Sequence, residues 1–478
     1  MYVHTVSEAC RLLPSSSQWN SIELEFHKFH SSTISIHNDN TPSGYSKSYD
    51  CNLFISDKSH FKRFIYVCVA LVFIILATVL LVHFLPLNHT HQASSSNLTA
   101  PLKQALLFFD AQKSGILPRN NYSIDFRGNS GLQDGNFGDP HVDLVGGYYD
   151  SGNNMKFTFP TAYTTTLLSW TVIEYHQKYS DIGELEHVKS IIKRGSDYLL
   201  KVFVLPNSTS DPTILYSQVG STSTGKVNDD DCWQRPEDMK YQRPISICKS
   251  NSSDLAGEII AALSATSLVF KGKNRSYSIQ LIKAAEKLFE LVIRNPNKQG
   301  TYTTDDACGK EARQFYNSSG YLDEIVWGGT WLFFATGNVS HLKYATDKVV
   351  LAMNAEEVDD GVFYWNNKLP ASAVLLTRLK YFRDPGYPYE ETLDSATNMT
   401  DLLMCSYLSS QRFTFTPGGL ILLRPESSSR LQYAATASFL TKLYSDYIKL
   451  TQSSGRRCST NSFSIEKLHK FSISQAST

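Results

Sequence analysis

An apolar run at residues 64–85, FIYVCVALVFIILATVLLVHFL, contains no Asp, Glu, Lys or Arg. Twenty-two residues extend about 33 Å as an α-helix, enough to cross a bilayer core of roughly 30 Å. A buried helix of this length would normally show a polar face, whereas only Tyr66, Thr78 and His83 interrupt this run. The pattern predicts a transmembrane signal anchor, because the run lies too far from Met1 to be a cleaved signal peptide.

Two features predict the orientation of this anchor. Lys58, Lys62 and Arg63 directly precede the run, and the first basic residue after it is Lys103, so the N-terminus is expected in the cytosol. All nine Asn-x-Ser/Thr sequons also follow the run. Both features predict a single-pass type II protein. We expect glycans at every sequon except Asn88, which lies close to the bilayer; these are Asn97, Asn121, Asn207, Asn251, Asn274, Asn317, Asn338 and Asn398.

The chain on either side of the anchor divides into three further segments. Residues 1–63, rich in Ser, His and Asn, are a predicted cytosolic tail, residues 86–98 a polar stem, and residues 99–478 one globular domain. Five cysteines fall in the domain, on the oxidising side of the membrane, and we select Cys232–Cys248 as a candidate disulfide because Pro236 and Pro244 turn the intervening stretch.

Apolar positions in the predicted domain repeat with helical spacing. Residues 255–270 and 321–335 are apolar on most sides, which is typical of deeply buried helices. Three amphipathic stripes are also present, whereas strand-like alternation is not evident. The stripes are Leu168, Val172, Tyr175 and Tyr179; Leu281, Ala285, Leu288 and Val292; and Leu440, Leu443, Tyr444 and Tyr447. Long loops rich in Gly, Pro, Asn and Asp join the helices, which suggests a helical scaffold with a site on one face.

Composition narrows the function only slightly. Lys plus Arg equals Asp plus Glu at 45 each, so nothing suggests the basic footprint of a nucleic-acid-binding protein. Aromatic residues make up 12% of the chain. That richness suits both the stacking of sugar rings and a large aromatic core, and composition alone favours the core.

Three clusters carry candidate chemistry. The first, DLVGGYYDSGNNMKF at residues 143–157, presents Asp150 from a glycine-rich loop, although such an Asp is usually a turn residue. The second, CWQRPED at residues 232–238, is also typical of a salt-bridged loop. In the third, WGGTW at residues 327–331, two glycines within a predicted helix indicate close approach by another backbone or by a ligand.

Together with ALLFFDAQKSGILP, FYNSSGYLDEIVWGGTWLFFATGN, YWNNKLPASAVLLTRL, PGYPYE and TPGGLILL, these clusters resemble, in order, the motifs of glycoside hydrolase family nine. The similarity covers roughly residues 100–473, and the tail and anchor resemble the membrane-bound KORRIGAN type of plant endo-1,4-β-glucanase.

This resemblance implies an (α/α)6 barrel with an open, aromatic-lined cleft and inverting hydrolysis of β-1,4-glucan, without an organic cofactor or a metal. Inversion requires one carboxylate that activates water and one carboxylic acid that protonates the leaving oxygen. The resemblance places Asp150 beside the water and residue 153 at the base position. Expected residues of the cleft or its support are Tyr148, Tyr149, Trp233, Tyr321, Trp327, Trp331 and Trp365, although each tryptophan is equally compatible with the core.

The chain departs from the family pattern at several positions. The family's Asp-Ala-Gly-Asp is Asp150-Ser151-Gly152-Asn153 here, and a carboxamide cannot accept a proton near neutral pH. Asp229-Asp230 replaces the family's Asp-His; a calcium site there is conceivable, but a solvated acidic run at 229–231 is favoured. Asn366 replaces the Asp of the family's Trp-Asp-Asn-Lys.

The sequence also ends at Thr478, where family members continue to a His motif and the general-acid Glu. We therefore expect a barrel shortened at its C-terminus and impaired activity. The main prediction is an endo-1,4-β-glucanase homologue acting on cellulose in the plant cell wall, held at the plasma membrane or in Golgi or endosomal membranes with its domain outside the cytosol. Alternatives are an inactive glucan-binding or cellulose-synthesis accessory protein, associated with the cellulose-synthesising complex, and a truncated gene product.

Overall fold

The computed structural model describes residues 62–63, 66–67, 69–71, 73 and 76, and residues 96–477 except 119–123, 138–140, 206–212, 223–227, 230–233, 250–251, 295–297, 356–360, 383–388, 428, 453–454 and 459–460. The chain divides into two compact units. One is Ser32–Leu102, and the other contains Lys103–Thr478.

In the smaller unit, the described residues of the predicted anchor are helical and exposed, among them Tyr66, Phe73 and Leu76. The rest of residues 64–85 and residues 1–61 of the predicted tail lie outside the described residues, so the anchor stays a prediction. One described helix, Ser253–Phe270, is also long and apolar enough to cross a bilayer, but 94% of it is buried inside the fold, as expected for a core helix.

The larger unit is predominantly helical, as the sequence predicts. Its described part contains eleven helices of at least 13 residues: α1 Ser96–Ala111, which begins in the smaller unit and inside the predicted stem, α2 Thr158–Asp181, α3 Leu185–Leu199, α4 Ser253–Phe270, α5 Arg275–Arg294, α6 Leu322–Thr336, α7 Val339–Ala355, α8 Leu369–Phe382, α9 Glu390–Tyr407, α10 Arg430–Leu450 and α11 Ile465–Ser477.

Inner and outer helices alternate along the chain. The even-numbered helices α2, α4, α6, α8 and α10 pack each against the next, and α3, α5, α7, α9 and α11 each pack outside the preceding even-numbered helix. This alternation is that of the expected (α/α)6 barrel, of which the described residues form five inner and five outer helices. Burial explains why some helices are apolar on most sides while others carry one apolar stripe. Helices α4, α6 and α8 are enclosed on nearly every side, whereas α5 buries one stripe that includes Leu281, Ala285 and Leu288.

Three tryptophans pack edge to face in the centre of the barrel. Trp170 of α2 lies 5.8 Å from Trp327 and 5.7 Å from Trp331, and these two rings of α6 are 5.7 Å apart. All three are fully buried. Trp327 and Trp331 therefore do not line a cleft surface, and the core alternative holds for both, because the hydrophobic faces of α2 and α6 meet there.

Glycine allows the backbones of α4 and α6 to touch. A Cβ atom added to Gly328 would lie 2.7 Å from the carbonyl oxygen of Gly257, and one added to Gly257 would lie 2.5 Å from that of Glu324. The close approach predicted from the two helical glycines is thus confirmed for Gly328, and its partner is another backbone.

The sequence pattern did not reveal the short strands. A four-stranded antiparallel sheet contains β1 Lys156–Phe157, β2 Phe203–Val204, β3 Ile214–Val219 and β4 Ile245–Cys248, with β3 pairing to each of the other three. Because β3 is buried on both faces, it lacks alternation. Two hairpins follow, of β5 Thr414–Phe415 with β6 Ile421–Leu422 and of β7 Gly455–Cys458 with β8 Asn461–Ser464.

The Gly257–Gly328 contact makes a testable prediction about stability. Gly328→Ala should lower the free energy of unfolding by about 1–3 kcal/mol, because the added methyl group forces two buried helices apart. Gly329→Ala is the matched control, since its Cβ would meet the Ala345 side chain at an ordinary 3.4 Å and alanine favours the helix. Urea denaturation of the full chain in detergent, followed by tryptophan fluorescence, measures both. Equal effects would contradict the assigned contact.

Candidate active site

The loop that carries Asp150 is shaped by glycines in the left-handed region. Gly146 and Gly147 have φ of 110° and 74°, and a Cβ on Gly147 would lie 2.7 Å from the Tyr198 ring. The same loop is tied to the end of α1, because the amide of Tyr149 donates to the carbonyl oxygen of Gln112 at 2.8 Å. The tight turns predicted from the glycines are confirmed.

A buried ion network supports this loop from below. The ammonium group of Lys156, fully buried, lies 2.6 Å from a carboxylate oxygen of Asp134 and donates to the carbonyl oxygens of Leu144 at 2.6 Å and Gly146 at 3.1 Å. Arg243 binds the other Asp134 oxygen at 2.7 Å. Burial would raise the pKa of Asp134, but the two cations outweigh it and lower that pKa.

Asp229 joins the same network, which corrects its predicted place in a solvated acidic run. Its side chain is buried and pairs with Arg243, and it accepts hydrogen bonds from the Ser221 amide at 2.8 Å and the Tyr241 hydroxyl at 3.0 Å. The sequence could not reveal this pairing, because Arg243 follows 14 residues later. Asp230 and Asp231 lie outside the described residues, and the described part of the chain contains no metal-binding group of three or more His, Cys, Asp or Glu side chains.

Asp150 lies half-buried at the edge of a cavity of about 190 Å³. Its Oδ1 accepts a hydrogen bond from the hydroxyl of Tyr316 at 2.7 Å. Burial raises the pKa of the Asp150 carboxyl, and the hydrogen bonds from Tyr316 and from the backbone of Ser151 partly oppose that rise. Among the described residues lining this cavity, Asp150 alone carries a formal charge.

Tyr316, which sequence reasoning did not select, is held in a row of aromatic rings. Its ring lies 5.2 Å from Phe157 and 5.4 Å from Trp365. The hydroxyl of Tyr302 donates to its carbonyl oxygen at 2.6 Å. The motif FYNSSGY contains Tyr316, but no spacing relates it to Asp150, 166 residues earlier.

The base position of the family motif has a structural role here. The Oδ1 atom of Asn153 accepts a hydrogen bond from the amide of Met155 at 3.0 Å, and the amide of Asp150 donates to the carbonyl oxygen of Met155 at 2.8 Å. These bonds close a turn from 150 to 155 in which Gly152 has a φ of 94°. Asn153 does not line the cavity beside Asp150.

The other expected cleft residues divide between surface and interior. Tyr148 and Tyr149 line the cavity, with Tyr149 almost fully buried and the Tyr148 hydroxyl donating to the carbonyl oxygen of Ile191 at 2.8 Å. Trp365 and Tyr321 are partly exposed. Trp233 lies outside the described residues.

A second buried network lies beneath Trp365. The ammonium group of Lys368 is 2.5 Å from Glu258 and 3.1 Å from Glu324, and it donates to the carbonyl oxygen of Trp365. Burial raises the pKa of Glu258 to about 7. Asn366, on the same loop, accepts from the Ser319 amide at 2.8 Å and donates to its hydroxyl at 2.9 Å. Both atoms of the Asn366 amide group are thus hydrogen-bonded to Ser319.

The predicted disulfide Cys232–Cys248 is wrong, because Cys248 pairs with a different cysteine. Cys248, at the end of β4, bonds to Cys308, and their Cα atoms are 4.5 Å apart. Cys308 lies in a short helix, Asp306–Gly309, that packs against β4. Closeness along the chain favoured Cys232, but the tertiary structure brings together residues 60 positions apart. Cys232 lies outside the described residues, and Cys405 is also disulfide-bonded.

The described part of the salt-bridged loop 232–238 agrees with its predicted character. Glu237 pairs with Arg127 at 2.8 Å and accepts from the amide of Gly128 at 2.9 Å. Arg127 also donates to the carbonyl oxygens of Ala111 and Lys113, at the end of α1. The motif therefore stabilises the chain segment beside the candidate site.

An (α/α)6 barrel that presents a half-buried carboxylate beside aromatic rings is the arrangement that the motifs of glycoside hydrolase family nine predict. The chain matches the profile of glycosyl hydrolase family 9 over residues 99–477. It is 46% identical to Endoglucanase 21 of Arabidopsis thaliana over 83% of this chain and 64% of that protein. This chain belongs to glycosyl hydrolase family 9 and is a homologue of plant endoglucanases.

Solved structures agree with this assignment. The endoglucanase of the termite Nasutitermes takasagoensis superposes with a TM-score of 0.65 at 30% identity, covering 79% of this chain and 76% of that chain. A cellulase of C. cellulolyticum in complex with cellobiose gives a TM-score of 0.62 at 26% identity, covering 79% and 77%. The chain spans about 64% of the length of the curated plant relatives it matches.

The ion network below the loop makes a testable prediction. Asp134→Asn should lower the free energy of unfolding by about 3–5 kcal/mol, because it leaves two buried cations without their shared anion. Asp143→Asn, in the same loop, is the matched control: its carboxylate is 65% exposed and pairs with Lys201, so the cost should stay below about 1 kcal/mol. Urea denaturation of the full chain measures both, and a small effect at Asp134 would contradict its supporting role.

Proposed function

We propose that this chain is an endo-1,4-β-glucanase-type glycoside hydrolase that acts on β-1,4-glucan in the plant cell wall. The observation that carries the proposal is the half-buried carboxylate of Asp150, bonded to Tyr316 beside the aromatic row of Phe157, Tyr316 and Trp365. Aromatic rings provide flat apolar surfaces for pyranose rings, and a desolvated carboxylate suits the activation of water.

The proposal assigns Asp150 to the water side of an inverting reaction, in which a carboxylate activates the water opposite the leaving sugar. The relatives support the substrate class, since they include endoglucanases and a cellulase in complex with cellobiose. Neither an organic cofactor nor a metal ion enters the proposed reaction.

A second candidate function is a glucan-binding accessory protein of the cellulose-synthesising complex. The Asn153 side chain is hydrogen-bonded within its own turn, so the base position holds no proton acceptor. This observation favours the accessory protein. Both candidates place the partly exposed rings of Tyr316 and Trp365 against glucan, so binding alone does not separate them, whereas bond cleavage does.

The experiment measures binding and cleavage with the full chain in detergent. We expect calorimetric binding of cellohexaose and only slow release of reducing ends from carboxymethyl cellulose, because the family's base position holds Asn153. Trp365→Ala should weaken binding about tenfold, the equivalent of ~1.4 kcal/mol, while Leu402→Ala, an exposed apolar residue of the outer helix α9, should not. Binding without cleavage would favour the accessory protein, and the absence of both would overturn the proposal.

We also propose that residues 64–85 anchor the chain in the plasma membrane or in Golgi or endosomal membranes, with the barrel luminal or extracellular. The charge distribution around the apolar run supports this orientation. The described sequon residues Asn274, Asn317, Asn338 and Asn398 are exposed. Asn97 is helical, while Asn121, Asn207 and Asn251 lie outside the described residues.

The topology can be tested in sealed microsomes. Trypsin should remove the tail, residues 1–63, and leave a protected fragment whose electrophoretic mobility increases after N-glycosidase treatment. Asn274→Gln should remove one glycan, whereas Asn461→Gln, outside any sequon, should remove none. Digestion of the barrel with protection of the tail would show the opposite orientation.

A further inference from the structure

In this chain the proton acceptor of the candidate site lies at a different position from that of the family motif. We infer that Asp150 is the general base, that Tyr316 positions it, and that Asn153 only holds the turn. This inference rests on the proposed function, because it concerns the water that would attack the glucan.

Asn153 cannot serve as the base in its observed state. A carboxamide cannot accept a proton near neutral pH, and its oxygen already accepts the Met155 amide at 3.0 Å. An asparagine or aspartate whose oxygen binds the amide two residues later is a common turn element. The residue therefore fixes the path of the loop and does not supply a base.

The surroundings of Asp150 suit it to act as a base. The cavity at its edge is lined by Phe108, Phe109, Phe157, Leu168 and Ile191, along with threonine hydroxyls. The other titratable side chains lining it are the phenols of Tyr148, Tyr149 and Tyr316. Burial in this setting raises the pKa of Asp150, which moves it toward the range in which a carboxylate is an efficient base.

Tyr316 orients the carboxylate of Asp150. The Tyr316 hydroxyl donates to Oδ1 of Asp150 at 2.7 Å. A carboxylate has about four acceptor sites, so this bond and the one from the Ser151 backbone leave room for a water molecule. The Tyr316 ring cannot readily turn away, because Phe157 and Trp365 flank it at 5.2 and 5.4 Å. Tyr316 is thus a positioning residue that also favours the ionised form.

In the proposed step, water attacks the anomeric carbon and Asp150 accepts a proton from it. The water oxygen forms a bond to the anomeric carbon as the bond to the leaving group breaks, and the leaving group takes that electron pair. One water proton passes to the Asp150 carboxylate, and the product sugar has the inverted anomeric configuration.

The test uses β-cellobiosyl fluoride, because fluoride departs without protonation and the assay therefore reports on the base alone. With the full chain in detergent, we expect fluoride release that Asp150→Ala lowers about 10²–10⁴-fold. Asn153→Ala should lower the rate less, and Asp143→Ala, an exposed loop carboxylate, should leave it unchanged. Sodium azide, which needs no base, should restore turnover of Asp150→Ala as α-cellobiosyl azide, which also shows that this variant is folded.

Tyr316→Phe provides a readout that a purely structural role would not change. Its hydrogen bond lowers the pKa of Asp150, so its loss should raise that pKa and move the acid limb of the pH–rate profile to higher pH. An acid limb that does not shift in Tyr316→Phe would overturn the role of Tyr316. The role of Asp150 would be overturned if Asp150→Ala and Asn153→Ala lowered the rate of fluoride release equally and azide did not restore turnover. If the unmodified chain releases no fluoride, the proposed function fails; release that is insensitive to Asp150 overturns only this inference.

Discussion

The candidate site depends on one buried anion, Asp134, which lies between the ammonium group of Lys156 and the guanidinium group of Arg243. Isolated charges at this depth would be prohibitively costly, and they are tolerated because each cation has a partner and further hydrogen bonds. Lys156 extends this order to the loop by binding the carbonyl oxygens of Leu144 and Gly146. The position of Asp150 is thus fixed by charges that never reach the cavity.

The second buried network, beside Trp365, is also built around a shared ion. Lys368 lies between Glu258 of α4 and Glu324 of α6 and binds the carbonyl oxygen of Trp365. The inner helices can approach closely enough to share this cation because Gly257 and Gly328 have no side chains at the helix contact. The close packing of the barrel and the placement of the Trp365 ring are therefore consequences of the same two helices.

Family membership and site chemistry are separate conclusions. The barrel, the Asp150 loop and the aromatic row agree with glycosyl hydrolase family 9, yet position 153 carries a residue that cannot accept a proton. The structure gives that residue a local task, the hydrogen bond from Met155. A substitution at a motif position can thus preserve the loop and still move the chemistry to a neighbouring carboxylate, because a turn needs an oxygen acceptor and a base needs a proton acceptor.

The sequence by itself determined the helical character of the domain, its two most deeply buried helices, the glycine-rich loop that carries Asp150 and the family. These follow from local spacing, since a helix turns every 3.6 residues and a positive φ favours glycine. Only the tertiary structure decided which residues meet: Cys248 with Cys308, Asp229 with Arg243, Asp150 with Tyr316, and Trp327 with Trp170 rather than with a sugar. Such contacts join residues 14 to 166 positions apart, and no local pattern encodes them, because burial and pairing depend on the packing of the whole barrel.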